Sequence, residues 1–93
     1  MARNYRCKLG EIDLIARDSR RLHIVEVRYR KNDRFGSGAE SVGQAKQRKI
    51  KLTAKHFLHC NPEYHAFYCQ FDVISVSGTN YPYSIEWITD AFC

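Results

Sequence analysis

Two strand-like segments near the start of the chain carry acidic residues where apolar ones would be expected. Residues 23–30 (HIVEVRYR) place Glu26 between valines and Arg28 two positions later, and residues 11–17 (EIDLIAR) contain Asp13. A buried carboxylate costs free energy unless it is paired or binds a cation. Two neighbouring carboxylates repel each other until a proton or a metal bridges them. Oxygen ligands with open water positions suit Mg²⁺ or Mn²⁺, which activate water for phosphodiester cleavage.

The same residues also allow a purely structural explanation, in which Asp13 or Glu26 forms a cross-strand ion pair with Arg28. Alternation along a strand decides which side chains share a face. It places Leu22, Ile24, Glu26, Arg28 and Arg30 on one face of their strand, and Glu11, Asp13 and Ile15 together on the preceding one. The metal hypothesis requires these two faces to coincide, so that Asp13 and Glu26 converge beside a cation.

The elements that must position the acids follow from apolar periodicity and turn residues. Strands are predicted over residues 11–17 and 22–30, as an antiparallel hairpin. A polar loop over 31–38 leads into a helix from 39 to about 59, and two more strands follow over 71–76 and 83–88. The order ββαββ predicts an α/β sandwich with a mixed central sheet, in a single domain over residues 1–93.

The predicted helix carries a lysine on its apolar side. At about 100° per residue, the core stripe consists of Val42, Ile50, Thr53, Ala54 and Phe57. Lys46 falls within this stripe. It either extends to water along the protein surface or reaches over the sheet toward the carboxylates or a bound phosphate.

Charge is divided unevenly along the chain, whose net charge is +5. All fifteen Lys and Arg residues lie between Arg3 and Lys55, while residues 60–93 contain four acids and no base. A basic half predicts a phosphate-rich partner, because the release of counterions drives nucleic-acid binding. A surface that serves only solubility would have the same composition. With no apolar run of about 18 residues and no signal peptide, we expect a cytoplasmic protein without a membrane partner.

The segments ARNYRCKLGEIDLIAR, HIVEVRYR, RFGSGAESVGQAKQRKI, FDVISV and IEWITDAF follow one another between Ala2 and Phe92. In this order the chain resembles the bacterial YraN-type family, whose uncharacterised members are assigned by similarity to restriction-endonuclease-like, Holliday-junction-resolvase-like nucleases. The combination of GEIDLI with VEV carries most of the resemblance. It implies a restriction-endonuclease-like fold and phosphodiester hydrolysis in DNA or structured nucleic acid with Mg²⁺ or Mn²⁺.

The resemblance also implies roles for single residues. The family's acidic motif falls on Asp13 and Glu26, which would hold the metal, and a basic position and a helix lysine fall on Arg28 and Lys46. We therefore predict Asp13, Glu26, Arg28 and Lys46 as catalytic residues, and Arg30, Arg34, Lys46 and Lys49 as contacts to the nucleic-acid backbone.

Two departures from the family pattern leave alternatives open. The family usually has lysine at position 28, and arginine is not deprotonated, so Arg28 can stabilise charge but not act as a base. The alternative is a catalytically inactive nucleic-acid-binding module on the same fold. A module that binds a protein partner through the aromatic C-terminal half is a weaker third hypothesis.

The second departure lies at the N-terminus. The family carries an upstream helix with an acidic residue, whereas here Met1 directly precedes the first matching segment. We therefore expect an uncovered sheet face and a homodimer that buries it.

Overall fold

One five-stranded sheet and one long helix form the described part of the protein. The structure is a computed structural model, and it describes residues 2–30 and 42–92. The elements are β1 (Ala2–Cys7), β2 (Gly10–Arg17), β3 (Arg21–Arg30), α1 (Gln44–Cys60), a 3₁₀ turn (Pro62–Tyr64), β4 (Tyr68–Ser77) and β5 (Ser84–Phe92). The strands lie in the order β1-β2-β3-β4-β5, and β3 and β4 are the parallel pair. The predicted α/β architecture with a mixed sheet is therefore confirmed.

The predicted order ββαββ misses the first strand, β1, which the structure shows before the other elements. This strand pairs with β2 from Cys7↔Gly10 to Ala2↔Ile15 and forms an edge of the sheet. Its sequence, ARNYRC, is mostly polar, and of its residues Tyr5 packs against the core. Edge strands often carry charged residues that oppose pairing with another chain, which weakens the alternating pattern that sequence analysis relies on. The predicted loop over 31–38 and the predicted helix start at residue 39 lie outside the described residues. The predicted helix is nevertheless wrong at residues 42 and 43, because Gly43 has an extended backbone and α1 begins at Gln44.

Helix α1 covers one face of the sheet, which we call the helix face. The core between them contains Ile12, Ile15, Leu22, Ile24 and Val73 from the strands and Ile50, Ala54 and Phe57 from α1. Thr53, also fully buried, donates its hydroxyl hydrogen to the Lys49 carbonyl at 2.7 Å, so burying it leaves no polar group unpaired. The predicted core stripe is thus confirmed at Ile50, Thr53, Ala54 and Phe57. Val42 is also buried, but it precedes α1. The other side of the sheet, which α1 does not cover, is called the open face.

In β2, the predicted face is wrong for Ile12. Strict alternation separates Ile12 from Ile15, yet both are fully buried in the core under α1. The regular pairing of β2 with β3 runs from Arg17↔Leu22 to Leu14↔Val25, and Asp13 is the next residue along β2. The break in alternation therefore coincides with an acidic residue that the pattern places in a regular strand.

Cys7, Cys60 and Cys69 carry free thiols. Helix α1 has basic side chains along most of its length, and no helix within residues 2–30 and 42–92 has the length and apolar character of a membrane span.

Candidate functional site

An open groove of about 420 Å³ lies between the first turns of α1 and the strands β2 and β3. It is lined by Gly10, Glu11 and Asp13 of β2, Glu26 of β3, and Ala45, Lys46, Lys49 and Ile50 of α1. The strands thus contribute the acidic side chains and the helix contributes the basic ones. This division places opposite charges on the two walls of one groove.

Glu26 is the buried acid of the groove, with a side chain only 3% exposed. Its Oε2 atom lies 3.0 Å from Lys46 Nζ, and its carboxylate also accepts a hydrogen bond from the backbone N–H of Asp13. Burial raises the pKa of Glu26, and the negative charge of Asp13 raises it further. The Lys46 ammonium and the Asp13 N–H oppose these effects without cancelling them. An ionised Glu26 is therefore held in a site that disfavours its charge.

Asp13 joins the two strands through its side chain. Its Oδ2 atom accepts a hydrogen bond from the Val27 backbone N–H at 2.9 Å, while its own backbone N–H donates to Glu26. Where regular pairing of β2 and β3 has ended, these two bonds connect the strands. They fix both carboxylates beside the same groove, because each strand's acid is bound by the other strand's backbone.

Lys46 reaches the acids from the helix. The sequence left open whether this lysine extends to solvent or over the sheet, and the 3.0 Å contact with Glu26 shows the second arrangement. Its side chain stays 44% exposed, so the ammonium can also meet a ligand that enters the groove. Lys49 lines the same wall one turn later and is exposed. The helix therefore presents two cations, of which Lys46 is engaged with a carboxylate.

Gly10 allows β2 to approach α1 closely at the end of the groove. A Cβ atom at this position would lie 2.9 Å from Thr53 Oγ1, closer than real Cβ contacts, and the φ angle is +157°. Thr53 cannot easily move, because it is buried and bonded to the Lys49 carbonyl. Sequence analysis missed Gly10, although a glycine within a strand often marks a close backbone approach. It also missed Glu11 as a wall residue, where the carboxylate pairs with Arg6 at 2.7 Å.

Of the remaining predicted site residues, Arg28 does not line the groove, and the structure does not test Arg30 or Arg34. Arg28 is half-buried on β3 opposite Ser75 of β4, about 6.6 Å along the strand from Glu26, and is not a lining residue. Arg30 ends β3, and its side chain lies outside the described part of the protein, as does Arg34 altogether. The described structure therefore brings together Asp13, Glu26, Lys46 and Lys49.

The donor set of the groove fits a hydrated divalent cation. Mg²⁺ is commonly bound through one or two carboxylates, and its other positions are filled by waters and substrate phosphates. Asp13 and Glu26 supply two carboxylates on one groove. Among the described residues, no group of three or more His, Cys, Asp or Glu side chains is placed to hold a metal, which is unlike a structural zinc site. Asp13 and Glu26 are thus the residues that would hold Mg²⁺ or Mn²⁺.

Comparison with known proteins places the chain in a family. The model of the uncharacterised protein family UPF0102 matches residues 1–76, which include every lining residue of the groove. The chain belongs to UPF0102. This confirms the YraN-type resemblance. A UPF0102 protein from Saccharophagus degradans is 49% identical over 92 residues, covering 99% of this chain and 75% of the relative.

Other UPF0102 relatives show a similar match. A protein from Xanthomonas oryzae pv. oryzae is 51% identical over 89 residues, which cover 96% of this chain and 70% of the relative. A protein from Nitrosomonas europaea is 46% identical over 92 residues, which cover 99% of this chain and 75% of the relative. Their names state membership of UPF0102 and no activity.

A second polar cluster, centred on Asp72, lies on the open face. Asp72 is fully buried, and its carboxylate has four hydrogen-bonding partners. They are Gln70 Nε2 and Asp90 N at 2.9 Å from Oδ1, and His23 Nδ1 and Trp87 Nε1 at 3.0 Å from Oδ2. Burial alone would raise the pKa of Asp72, but the four hydrogen bonds lower it below its usual value. The carboxylate therefore stays ionised and ties β3, β4 and β5 together.

His23 extends this cluster to the β2–β3 turn. Its Nε2 atom lies 3.0 Å from Asp18 Oδ2, so the imidazole is held between two carboxylates. Burial lowers the pKa of His23, but the hydrogen bonds and charges of Asp18 and Asp72 outweigh burial and raise it. Backbone N–H groups of Arg20 and Arg21, together with His23, lower the pKa of Asp18 to about 2. Because the partners of Asp72 and His23 within the described part of the chain all belong to its own strands and turn, we interpret the cluster as a structural clamp.

Proposed function

We propose that this UPF0102 protein is a Mg²⁺- or Mn²⁺-dependent endonuclease on a restriction-endonuclease-like fold, and that it hydrolyses phosphodiester bonds in DNA or structured nucleic acid. The observation that carries the proposal is that two carboxylates and two lysines line one groove. Carboxylates that hold a cation and lysines that hold phosphate are the groups that such a hydrolysis needs. The five-stranded mixed sheet with its helix is compatible with this fold.

The two acids and the two lysines of the groove each have a role in the proposed reaction. Asp13 and Glu26 would hold the divalent ion, which would supply Lewis-acid chemistry by lowering the pKa of a water molecule and polarising the phosphate. Lys46 neutralises Glu26 in the absence of a ligand. The partly exposed Lys46 ammonium would contact a phosphate oxygen of bound nucleic acid, and Lys49 would bind the neighbouring backbone.

The part of Arg28 stays a prediction. To stabilise the transition state, its guanidinium has to reach the groove from two positions along β3. Arg30 and Arg34 likewise remain predicted contacts to the nucleic-acid backbone, on the basic half of the chain.

A catalytically inactive nucleic-acid-binding module is the second candidate function. The ion pair between Lys46 and Glu26 favours it, since this lysine already satisfies the buried acid without a metal. The arginine at position 28, where the family usually has lysine, points the same way. In this module the basic wall binds phosphate and the acids serve only to position Lys46.

Cleavage of labelled flaps, junctions, duplexes and single strands in Mg²⁺ or Mn²⁺ separates the two functions. We expect cleavage that EDTA stops and that Asp13→Asn and Glu26→Gln each abolish while binding persists. Glu63→Gln is the matched control, because Glu63 is an exposed acid in the 3₁₀ turn and does not line the groove. Salt-sensitive binding without cleavage of any substrate would favour the binding module, and cleavage unaffected by both groove variants would refute the proposed site.

A further inference from the structure

The open face of the sheet carries a continuous apolar surface, because the strand register places apolar residues of β3, β4 and β5 side by side. In one row across β3, β4 and β5, Val27 lies beside Ile74, and Ile74 beside Trp87. In the next row, Tyr29 lies beside Val76, and Val76 beside Ile85. Tyr83 packs on Tyr29 with ring centroids 5.9 Å apart. We call these seven residues the apolar platform.

The exposed rings of the platform are held in place by their own contacts. The Tyr29 hydroxyl donates to the Gly78 carbonyl at 2.7 Å, and the Trp87 indole N–H donates to Asp72. Tyr83 is flanked by Tyr81, with ring centroids 6.4 Å apart. Rings that are fixed before association lose little conformational entropy on binding, which favours a surface that binds over one that is merely solvated.

The exposed area of the platform is large for a monomer. Ile85 is 71% exposed, Tyr29 57% and Trp87 56%, and the flanking Tyr81 is 87% exposed. Tyr83 is 42% exposed. With about 150–250 Å² of surface on each aromatic side chain, the rings of Tyr29, Trp87, Tyr81 and Tyr83 together expose roughly 350–600 Å² before the aliphatic residues are added. The largest apolar patch of a typical monomer covers about 300–600 Å², and a stable interface buries about 800 Å² on each partner. With the exposed Val27 and Ile85 added, the platform and the flanking Tyr81 approach the area that one partner of a stable interface buries.

The charges of the platform indicate what covers it. Neither row contains a charged residue, and no Lys or Arg follows Lys55 in the chain. Aromatic surfaces that stack nucleobases are combined with a positively charged path for the backbone, which these rows lack. A flat, uncharged and mainly apolar surface is complementary to a second surface of the same kind. The same patch meeting itself across a two-fold axis gives such an interface.

We propose that the apolar platform is the surface through which two copies of this chain associate. The inference does not depend on the proposed nuclease activity. Because α1 and the groove lie on the helix face, a dimer formed through the open face leaves both grooves accessible.

Sedimentation equilibrium of the full chain between about 1 and 100 μM tests this association. We expect a dimer whose dissociation constant rises at least a hundredfold in Ile85→Lys, since an isologous interface loses this side chain twice. Val27→Lys, on the other row, should act in the same direction. Leu52→Glu is the matched control, because Leu52 is 40% exposed but lies on α1, and it should leave the dimer intact. Circular dichroism verifies that each variant is folded.

Three outcomes would overturn the inference. They are a monomer at every concentration, a dimer that Ile85→Lys and Val27→Lys leave unchanged, and a dimer that Leu52→Glu disrupts equally. A monomer whose Trp87 fluorescence is quenched by single-stranded oligonucleotides, and in which Ile85→Lys removes the quenching, would assign the platform to base stacking instead.

Discussion

Replacing the buried carboxylate of the clamp, Asp72→Asn, tests how much its hydrogen bonds contribute to stability. The substitution keeps the shape of the side chain and exchanges one oxygen for an NH₂ donor. Each oxygen of Asp72 now accepts from two donor groups. With the NH₂ at the Oδ1 position, the Gln70 amide and the Asp90 N–H face another donor. With it at the Oδ2 position, a neutral His23 can accept through Nδ1, and only the Trp87 indole loses its acceptor.

Placing the asparagine NH₂ at the Oδ2 position costs less free energy, so this orientation sets the expected loss of stability. The indole N–H of the partly exposed Trp87 loses a hydrogen bond to a charged group, which is worth about 1.5–3 kcal/mol. We therefore expect the free energy of unfolding to fall by about 1.5–3 kcal/mol. This is a large share of the ~5–15 kcal/mol that stabilises a typical domain. Asp72→Ala removes the acceptor for all four groups and should destabilise the protein further.

Urea unfolding measures this loss, followed by the fluorescence of Trp87, the single tryptophan, and by circular dichroism. Asp90→Asn is the matched control. The Asp90 side chain is exposed and takes no part in the clamp, which uses its backbone N–H, and its φ of 52° suits asparagine. The control should stay within about 0.5 kcal/mol of the parent protein. An Asp72→Asn variant as stable as Asp90→Asn would refute the assignment of Asp72 as a structural clamp.

Three further predictions concern pH, packing and salt. The raised pKa of His23 gives stability that is complete below its ordinary value of 6.5 and is lost as pH rises through the folded-state pKa. The raised pKa of Glu26 likewise gives stability that is complete below 4.5 and is lost as pH rises through its own folded-state pKa. The lowered pKa values of Asp72 and Asp18 give stability that is present above 3.8 and lost in acid, so urea unfolding across pH should show a maximum between about 4 and 6.5 that His23→Gln flattens on the alkaline side. Gly10→Ala should lower the free energy of unfolding by about 1–3 kcal/mol in the same urea assay, because its Cβ would overlap Thr53 Oγ1. Gly43→Ala should cost less, because nothing lies within 4 Å of a Cβ there and only the preference of the α1 N-cap for glycine over alanine is lost. Nucleic-acid affinity measured by fluorescence anisotropy should fall steeply with salt, and Lys46→Ala should weaken it for all sequences alike; affinity independent of salt would contradict the electrostatic argument.

The elements with strong apolar periodicity could be predicted from the sequence. Strands β3 and β4 and helix α1 have continuous apolar stripes, because each packs across the sheet–helix core. Strand β1 could not be predicted, since an edge strand with one core-packing ring has almost no such pattern. The face of Ile12 was predicted wrongly because alternation assumes regular pairing, which Asp13 interrupts with side-chain hydrogen bonds.

The groove and the clamp differ in how far sequence analysis could reach them. Asp13 and Glu26 were found because acids within apolar strands are unusual, and Lys46 because it interrupts a helical stripe. The clamp joins residues up to 49 positions apart, His23 and Asp72, and only the parallel register of β3 and β4 brings them together. Asp72 lies between Phe71 and Val73, so it carries the same local sign as Glu26, but nothing in its own segment identifies His23 as its partner.

The central claim is that Asp13 and Glu26 together bind a divalent cation, and thermal unfolding in a Mn²⁺ titration tests it most directly. At a concentration one hundred times the dissociation constant, Mn²⁺ should add about 2.7 kcal/mol to the free energy of unfolding. Glu26→Gln should remove this stabilisation, and Glu63→Gln should keep it. Without metal, Glu26→Gln should be at least as stable as the parent at neutral pH, since burial disfavours the charged carboxylate. Equal stabilisation of the parent and Glu26→Gln by Mn²⁺, or none of the parent at millimolar Mn²⁺, would contradict the claim.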